Sequence, residues 1–131
     1  MKLVSKVSVL FVLLCGLFLF GSSNSQATDV WVSQYDGVDT YVMDNTIKHG
    51  VSSSGRWVSV STKNVRNGQL VDTITWRFSK YSNVMWRYTT TKMRPGYDLA
   101  ISSTNHIFEY SMKRIGWSYR VETIRGLSYY Y

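Results

Sequence analysis

Alternation of apolar and polar residues with a period of two constrains this chain more than any other feature. It runs through residues 56–65 and again through residues 69–79, on both sides of an Arg-Asn-Gly break at residues 66–68. This period is typical of strands with one buried face, and a glycine-containing break between two such strands indicates a β-hairpin. A three-residue loop places Val60 opposite Ile74 and keeps the apolar faces aligned, whereas a two-residue loop would mix them. The sequence therefore predicts an antiparallel hairpin with a three-residue loop.

Shorter segments with the same period extend this hairpin into a meander. Residues 29–34 and 38–43 flank an Asp-Gly dipeptide, which is favoured in tight turns because glycine tolerates positive φ. The polar stretch at residues 44–55 contains three consecutive serines and predicts a loop. Residues 84–91 predict a further strand that returns along residues 69–79.

Apolar residues recur at helical spacing later in the chain. They are Ile107, Phe108, Met112 and Ile115, and Ser111 lies at the same spacing. Gly116 follows them and is a natural helix end, because glycine accepts the left-handed conformation. Residues 117–123 alternate again and predict a last strand. The predicted fold class is therefore α+β, an antiparallel β-meander of about five strands with one helix packed on one face and a C-terminal strand.

Residues 1–27 have the three parts of a secretory signal peptide: a start with two lysines, an apolar stretch at residues 9–20 and a final segment of small polar residues. The apolar stretch has 12 residues, whereas a helix that crosses a bilayer needs roughly 20. We therefore predict cleavage after Ala27 and a single exported domain over residues 28–131. Its predicted location is secreted, periplasmic or at the cell surface, with no transmembrane segment after cleavage.

The charge balance indicates the kind of partner. The chain has 15 basic and 8 acidic side chains, and loss of Lys2 and Lys6 with the signal leaves 13 basic against 8 acidic, a net charge of +5. Export separates such a protein from cytosolic nucleic acid, so we expect an anionic envelope polymer or an extracellular protein as partner rather than DNA or RNA. Cys15 lies within the predicted signal, so the exported domain forms neither a disulfide nor a thiolate metal site. The oligomeric state stays open.

The sequence holds no constellation typical of a catalytic or cofactor site. Only His49 and His106 could join carboxylates as metal ligands, and the nucleophile-elbow, phosphate-loop and dinucleotide motifs are absent. Several aspartates fall in or beside predicted turns, where their side chains bond to the backbone. Asp72, on the apolar side of its strand, has no such explanation. We therefore expect a non-enzymatic protein without a metal or cofactor.

The strand face opposite the predicted helix presents the candidate ligand-binding residues. These are Trp57, Arg77, Met85 and Arg87, and the predicted registers place Trp57 and Met85 beside Arg77. A tryptophan with two arginines is suited to stacking on planar groups and to bidentate recognition of anions. Cross-strand Trp-Arg pairs also stabilise a solvent-facing sheet without any ligand. The pattern therefore fits both a recognition surface and a structural one.

Three segments carry a resemblance to known proteins: Trp31, residues 41–48 (Tyr-Val-Met-Asp-Asn-Thr-Ile-Lys) and residues 56–60 (Arg-Trp-Val-Ser-Val). They resemble small secreted bacterial domains of unknown function whose mature chain starts with a Trp-containing strand and, more distantly, surface-adhesin protein E. The resemblance covers the first half of the chain, and the cysteines of protein E proper are absent. It implies an exported, non-enzymatic, adhesin-like domain that contacts host or matrix proteins.

The sequence leaves two other functions open. A small secreted hydrolase or inhibitor would act through loops at residues 44–55 and 92–98, and a subunit of a surface assembly would pair through an edge strand. The three tyrosines at residues 129–131 fit either a frayed tail or an edge contact for assembly. A deep pocket with converging Asp, His or Ser side chains would favour catalysis, whereas a flat Trp-Arg face would favour recognition.

Overall fold

A six-stranded antiparallel sheet forms most of the protein. The computed structural model describes residues 28–131, so the predicted signal peptide and its cleavage site lie outside the described residues. The strands lie in the sheet in chain order. They are β1 (Asp29–Tyr35), β2 (Val38–Ser52), β3 (Gly55–Arg66), β4 (Gln69–Lys80), β5 (Arg87–Thr90) and β6 (Leu99–Ala100). The helix α1 (His106–Ile115) follows, and β7 (Val121–Ile124) and β8 (Leu127–Tyr130) form a separate two-stranded sheet.

Over residues 28–131 the predicted α+β fold holds in its coarser form, as an antiparallel meander with one short helix, and this part of the chain is mainly β. Two parts of the finer prediction are wrong. The meander has six strands rather than about five, and the predicted C-terminal strand is a hairpin of its own. The additional strand, β6, has two residues, which is too short for a period-two pattern to show. The C-terminal hairpin turns at Arg125 and Gly126, which have φ of 51° and 80°.

The turn between β3 and β4 has two residues, so the predicted three-residue loop is wrong. Asn67 and Gly68 have φ of 50° and 76°, and positive φ at both central residues is the requirement of a type I′ turn. The register shifts just beyond this turn, and the resulting bulge restores the alternation of faces that a two-residue loop would otherwise break. Val60 therefore lies opposite Trp76 instead of the predicted Ile74, with the same face still buried.

β2 continues through most of residues 44–55, which the sequence predicts as a loop. The register against β3 shifts between Met43 and Lys48, so β2 bulges there. The Thr46 hydroxyl donates to the Met43 carbonyl at 2.6 Å and accepts from the Ser61 N–H at 2.8 Å. This side chain replaces the ladder bonds that the bulge interrupts, which is why a polar, loop-like sequence stays in the sheet.

β5 is shorter than the predicted strand at residues 84–91 and begins at Arg87. Trp86 is buried just before it, where its N–H donates to the Tyr130 carbonyl at 2.8 Å and its carbonyl accepts from the Ile101 N–H at 3.1 Å. The backbone of Trp86 thus joins the main sheet to the C-terminal hairpin. Met85 precedes this junction and lies outside the strand.

The predicted helix is confirmed, including its end at Gly116, which has the left-handed φ of 76°. The Asn105 side chain caps the other end by accepting from the Phe108 N–H at 2.9 Å. Phe108 is fully buried, and its ring centroid lies 5.3 Å from those of Phe78 and Trp86 and 4.6 Å from that of Tyr130. The helix thus closes one face of the sheet through an aromatic core.

The C-terminal hairpin contributes to the same core. Tyr130 is 4% exposed, its hydroxyl donates to Glu109 at 3.0 Å and accepts from the Asn105 N–H at 3.1 Å. Burial raises the pKa of the Tyr130 phenol to about 12, and the neighbouring Glu109 carboxylate adds to this shift. The alternative that residues 129–131 form a frayed tail is therefore wrong, because Tyr130 is a core residue.

Candidate functional site

The side of the sheet that faces away from α1 carries two rows of neighbouring side chains across β2, β3, β4 and β5. We call this surface the outer face. One row contains Lys48, Ser59, Arg77 and Thr89, and the next contains Gly50, Trp57, Ser79 and Arg87. The alternate residues of β3 and β4, such as Val58, Val60 and Phe78, are buried on the opposite side. The outer face is therefore a polar surface with one tryptophan in its centre.

Trp57 and Arg77 are in contact on the outer face, although not as direct cross-strand partners. Arg77 lies opposite Ser59, so the predicted register that paired it with Trp57 is wrong by two residues. The Arg77 guanidinium nevertheless reaches diagonally over the Trp57 indole, 4.7 Å from the ring centroid. This stack orients the planar guanidinium and leaves its edge N–H groups available for a bidentate acceptor.

Gly50 allows the indole to lie on the sheet. A Cβ built at this position would meet three atoms of the Trp57 ring at 2.7 to 2.9 Å, which no side-chain carbon tolerates. Trp57 is therefore enclosed by the backbone of β2 on one side and by Arg77 on the other. This enclosure makes Trp57 a structural support for Arg77.

Arg87 is on the outer face as predicted, but it has an internal partner. Its Nε and Nη2 atoms donate to Oδ1 of Asp98 at 3.1 and 2.9 Å, and Nη2 also donates to the Asp98 carbonyl at 3.2 Å. This hydrogen bonding to the carboxylate raises the pKa of Arg87. Met85, the fourth predicted residue, precedes β5 and belongs to neither row. The structure thus brings Trp57 and Arg77 together, places Arg87 beside them in a salt bridge, and leaves Met85 apart.

A shallow depression of about 190 Å³ opens beside Arg77. Tyr81 and Tyr97, which are 48% and 59% exposed, lie at its rim. Its lining includes the hydroxyl residues Ser79 and Thr89 and the Asp98 carboxylate. Sequence reasoning missed both tyrosines because they lie in loops outside the strand alternation. The available signal was a tyrosine in each of two polar connections, Tyr81 between the predicted strands at residues 69–79 and 84–91, and Tyr97 in the loop at residues 92–98.

Lys48 is a second cation that sequence reasoning missed, since residues 44–55 read as a loop. It is exposed and lies in the same row as Arg77, with Ser59 between them. Among residues 28–131, no carboxylate lies within 4.0 Å of the charged nitrogens of Lys48 or Arg77. The centre of the outer face therefore carries two positive charges that the described part of the protein leaves uncompensated.

No family model, curated protein or solved structure matches this chain. The resemblance to small secreted domains and to surface-adhesin protein E therefore stays a prediction. Over the described residues, no group of three or more His, Cys, Asp or Glu side chains is placed to hold a metal ion. Within the same residues, no helix has both the length and the apolar character needed to cross a membrane.

Asp44, which begins the predicted loop at residues 44–55, and Asp72, whose position the sequence does not explain, are engaged in structural contacts. Asp44 accepts from the Tyr110 hydroxyl at 2.6 Å and from Arg114 Nε at 3.0 and 3.2 Å, which ties β2 to α1. The Tyr110 hydrogen bond, helped by Arg114, holds the pKa of Asp44 below its ordinary value. Asp72 accepts from the Asn64 amide at 2.7 Å beside the β3–β4 turn, and its other oxygen lies 3.9 Å from Lys92 Nζ. The unexplained position of Asp72 is thus a polar link between neighbouring strands.

Proposed function

We propose that this chain is an exported, non-enzymatic binding module whose outer face recognises an anionic polymer. The observation that carries the proposal is the Trp57–Arg77 stack, which lies beside an open, tyrosine-rimmed depression. Export rests on the signal-like pattern of residues 1–27. An anionic envelope polysaccharide combines the two features that this surface is suited to contact, negative charge and flat ring faces.

The chemistry of the contact follows from the arrangement of groups. Arg77 is held flat by the indole, so its N–H edge is organised before a carboxylate, sulfate or phosphate arrives. Lys48 adds a second positive charge in the same row. Tyr81 and Tyr97 offer exposed rings for the apolar faces of sugars, and the hydroxyl groups of the depression offer hydrogen bonds.

The shape of the surface favours a chain-like ligand over a small molecule. The depression is smaller than the roughly 300–1,000 Å³ of most small-molecule pockets, at about 190 Å³. It continues into the flat rows of the outer face, where successive units of a polymer can lie on neighbouring strands. Each contact is weak, and repetition along the polymer supplies the affinity.

The alternative of a loop-borne hydrolase has less support. One of its two loops, residues 44–55, is mostly strand, and Asp44 is held by Tyr110 and Arg114. The other, residues 92–98, places Asp98 in a salt bridge with Arg87. These carboxylates are occupied by structural partners instead of converging on one open point.

Binding of the purified protein to a panel of acidic and neutral polysaccharides tests the proposal. We expect saturable binding to an acidic member that weakens as salt is raised, because charge contributes to the contact. Arg77→Gln should weaken this binding about tenfold, the usual effect of losing one charge-assisted hydrogen bond. Arg77→Lys should recover only part of it, since lysine keeps the charge but not the planar stack.

Lys113→Gln is the matched control, because it removes the same charge from the exposed side of α1. Cooperative urea unfolding with an unchanged slope checks that each variant is folded. Equal binding by the wild type and by a folded Arg77→Gln variant would contradict the proposal. So would a loss of binding in Lys113→Gln as large as that in Arg77→Gln.

A further inference from the structure

A second cavity lies at the end of the sheet, where the β2–β3 turn meets the β4–β5 loop. Its volume is about 420 Å³, and its lining contains Arg56, Lys80, Asn83 and four serines. Among the residues that the structure describes, no carboxylate belongs to this lining. The cavity shares no residue with the two rows or the depression of the outer face. Positive charge and hydroxyl groups thus converge at a site that is separate from the proposed polymer surface.

The two cations of this cavity are direct neighbours. Arg56 of β3 lies opposite Lys80 of β4, and like charges in this arrangement repel each other. Within residues 28–131, neither side chain has a carboxylate within 4.0 Å. The described part of the protein therefore places two positive charges side by side without a negative charge between them.

The surrounding structure fixes the positions of these groups. The Arg56 guanidinium lies over the Trp117 ring, 5.5 Å from the centroid, which leaves its N–H edges free to donate. Gly55 has φ of 150°, and a Cβ there would lie 1.9 Å from the Lys80 carbonyl oxygen. The turn is therefore pressed against the end of β4, and only glycine permits this approach.

The serine hydroxyls complete a donor set. Ser52 and Ser54 lie on one side, with their hydroxyl oxygens 3.0 Å apart. Ser82 and Asn83 line the cavity from the β4–β5 loop. The Ser52 hydroxyl donates to the Gly55 carbonyl at 3.3 Å. The other hydroxyls rotate to donate to whichever acceptor is present, so they, the Asn83 amide and the two cations can point hydrogen atoms at one acceptor-rich ligand.

We propose that this cavity binds an oxyanion group, a phosphate or sulfate ester. Such a group carries several acceptor oxygens and negative charge, and it matches the donors and cations that converge here. The volume falls in the range of small-molecule sites, roughly 300–1,000 Å³, so the cavity has room for part of the molecule that carries the oxyanion. This proposal does not depend on the proposed function of the outer face.

Titration of the purified protein with inorganic phosphate, and separately with sulfate, tests the proposal by amide chemical shifts. We expect saturable shifts that concentrate at residues 52–56 and 80–83 and do not occur with chloride at the same ionic strength. Lys80→Gln should weaken binding about tenfold. Lys113→Gln removes the same charge elsewhere and should bind like the wild type. A preference between phosphate and sulfate identifies the kind of ester.

Stability provides an independent readout of the same site. Because Lys80→Gln removes a like-charge neighbour of Arg56, it should leave the melting temperature unchanged or raise it, while abolishing most of the stabilisation by phosphate. Lys113→Gln should keep the stabilisation by phosphate, which separates binding at this site from a general effect of lower net charge. Shifts spread over the whole surface, or unchanged phosphate binding in a folded Lys80→Gln variant, would overturn the proposal.

Discussion

Single side chains decide the character of the outer face, and Gly50 is the clearest case. Its lack of a Cβ lets the Trp57 indole lie against β2, and the indole in turn supports the guanidinium of Arg77. The backbone of Gly50 is not in the left-handed region. The glycine is therefore required for space, and an alanine there would be acceptable if the indole were absent.

Gly50→Ala should destabilise the protein by about 1–3 kcal/mol, the usual cost of forcing extra volume into a close contact. In a Trp57→Ala background the same change should be neutral or slightly stabilising, because alanine suits a strand better than glycine does. Urea unfolding of the four proteins in this cycle measures both effects. An equal cost of Gly50→Ala in the two backgrounds would show that the indole contact is not its cause.

Bulges determine the strand registers of the main sheet. Relative to β3, β2 has extra residues beside Thr46, and β4 has one extra residue beyond the β3–β4 turn. Each bulge is compensated locally, by a threonine hydroxyl in the first case and by a type I′ turn in the second. β2 therefore stays paired with β3 although residues 44–52 have a loop-like sequence. β3 and β4 stay paired with their apolar faces aligned although their turn has two residues.

Thr46→Val should lower the free energy of unfolding by about 1–3 kcal/mol, the range for leaving a partly buried donor without a partner. Valine keeps the shape and strand preference of threonine but cannot bond to the Met43 carbonyl or the Ser61 N–H. Thr46→Ser keeps the hydroxyl and should cost less. Chemical denaturation of both variants measures the difference, and a valine variant as stable as the wild type would show that the hydroxyl does not support the bulge.

The same bulges explain how far the sequence alone predicts this structure. The helix, its end at Gly116 and the buried face of the β3–β4 hairpin follow from local periodicity and glycine conformation, and they agree with the structure. Registers depend on where an extra residue is tolerated, which is decided by partners distant in sequence such as Ser61 for Thr46. The alternation indicated Trp57 and Arg77 as neighbours. Lys48 was missed because the bulge of β2 makes its segment look like a loop, and Tyr81 and Tyr97 were missed because they lie in loops.

Tyr130 connects the C-terminal hairpin to the helix and to the residue that caps it. It lies in β8, packs on Phe108 of α1 and bonds through its hydroxyl to Glu109 and to the Asn105 N–H. Its phenol is buried as the neutral form, and its pKa is about 12 against an ordinary value of 10. Folding therefore opposes ionisation of this group.

The stability contributed by Tyr130 should be complete below pH 10 and decline as the pH rises through its folded-state pKa of about 12. Tyr130→Phe cannot ionise, but it loses two hydrogen bonds and should be less stable at neutral pH by about 1–2 kcal/mol. The gap between wild type and variant should narrow as the pH rises above 10. Urea midpoints measured along this pH range test the effect, and a constant gap would contradict it.

The strands of the main sheet are consecutive in the chain, whereas the helix and the C-terminal hairpin that bury its apolar side come later. This arrangement indicates an order of folding during synthesis. Neighbouring strands of β1 to β6 are joined by short connections, so each pair forms by local closure as the chain becomes available. The apolar side of that sheet is covered by groups that come later, Phe108, Met112 and Tyr130. A nascent chain that ends before residue 106 would expose this surface, and self-association at that stage would compete with folding.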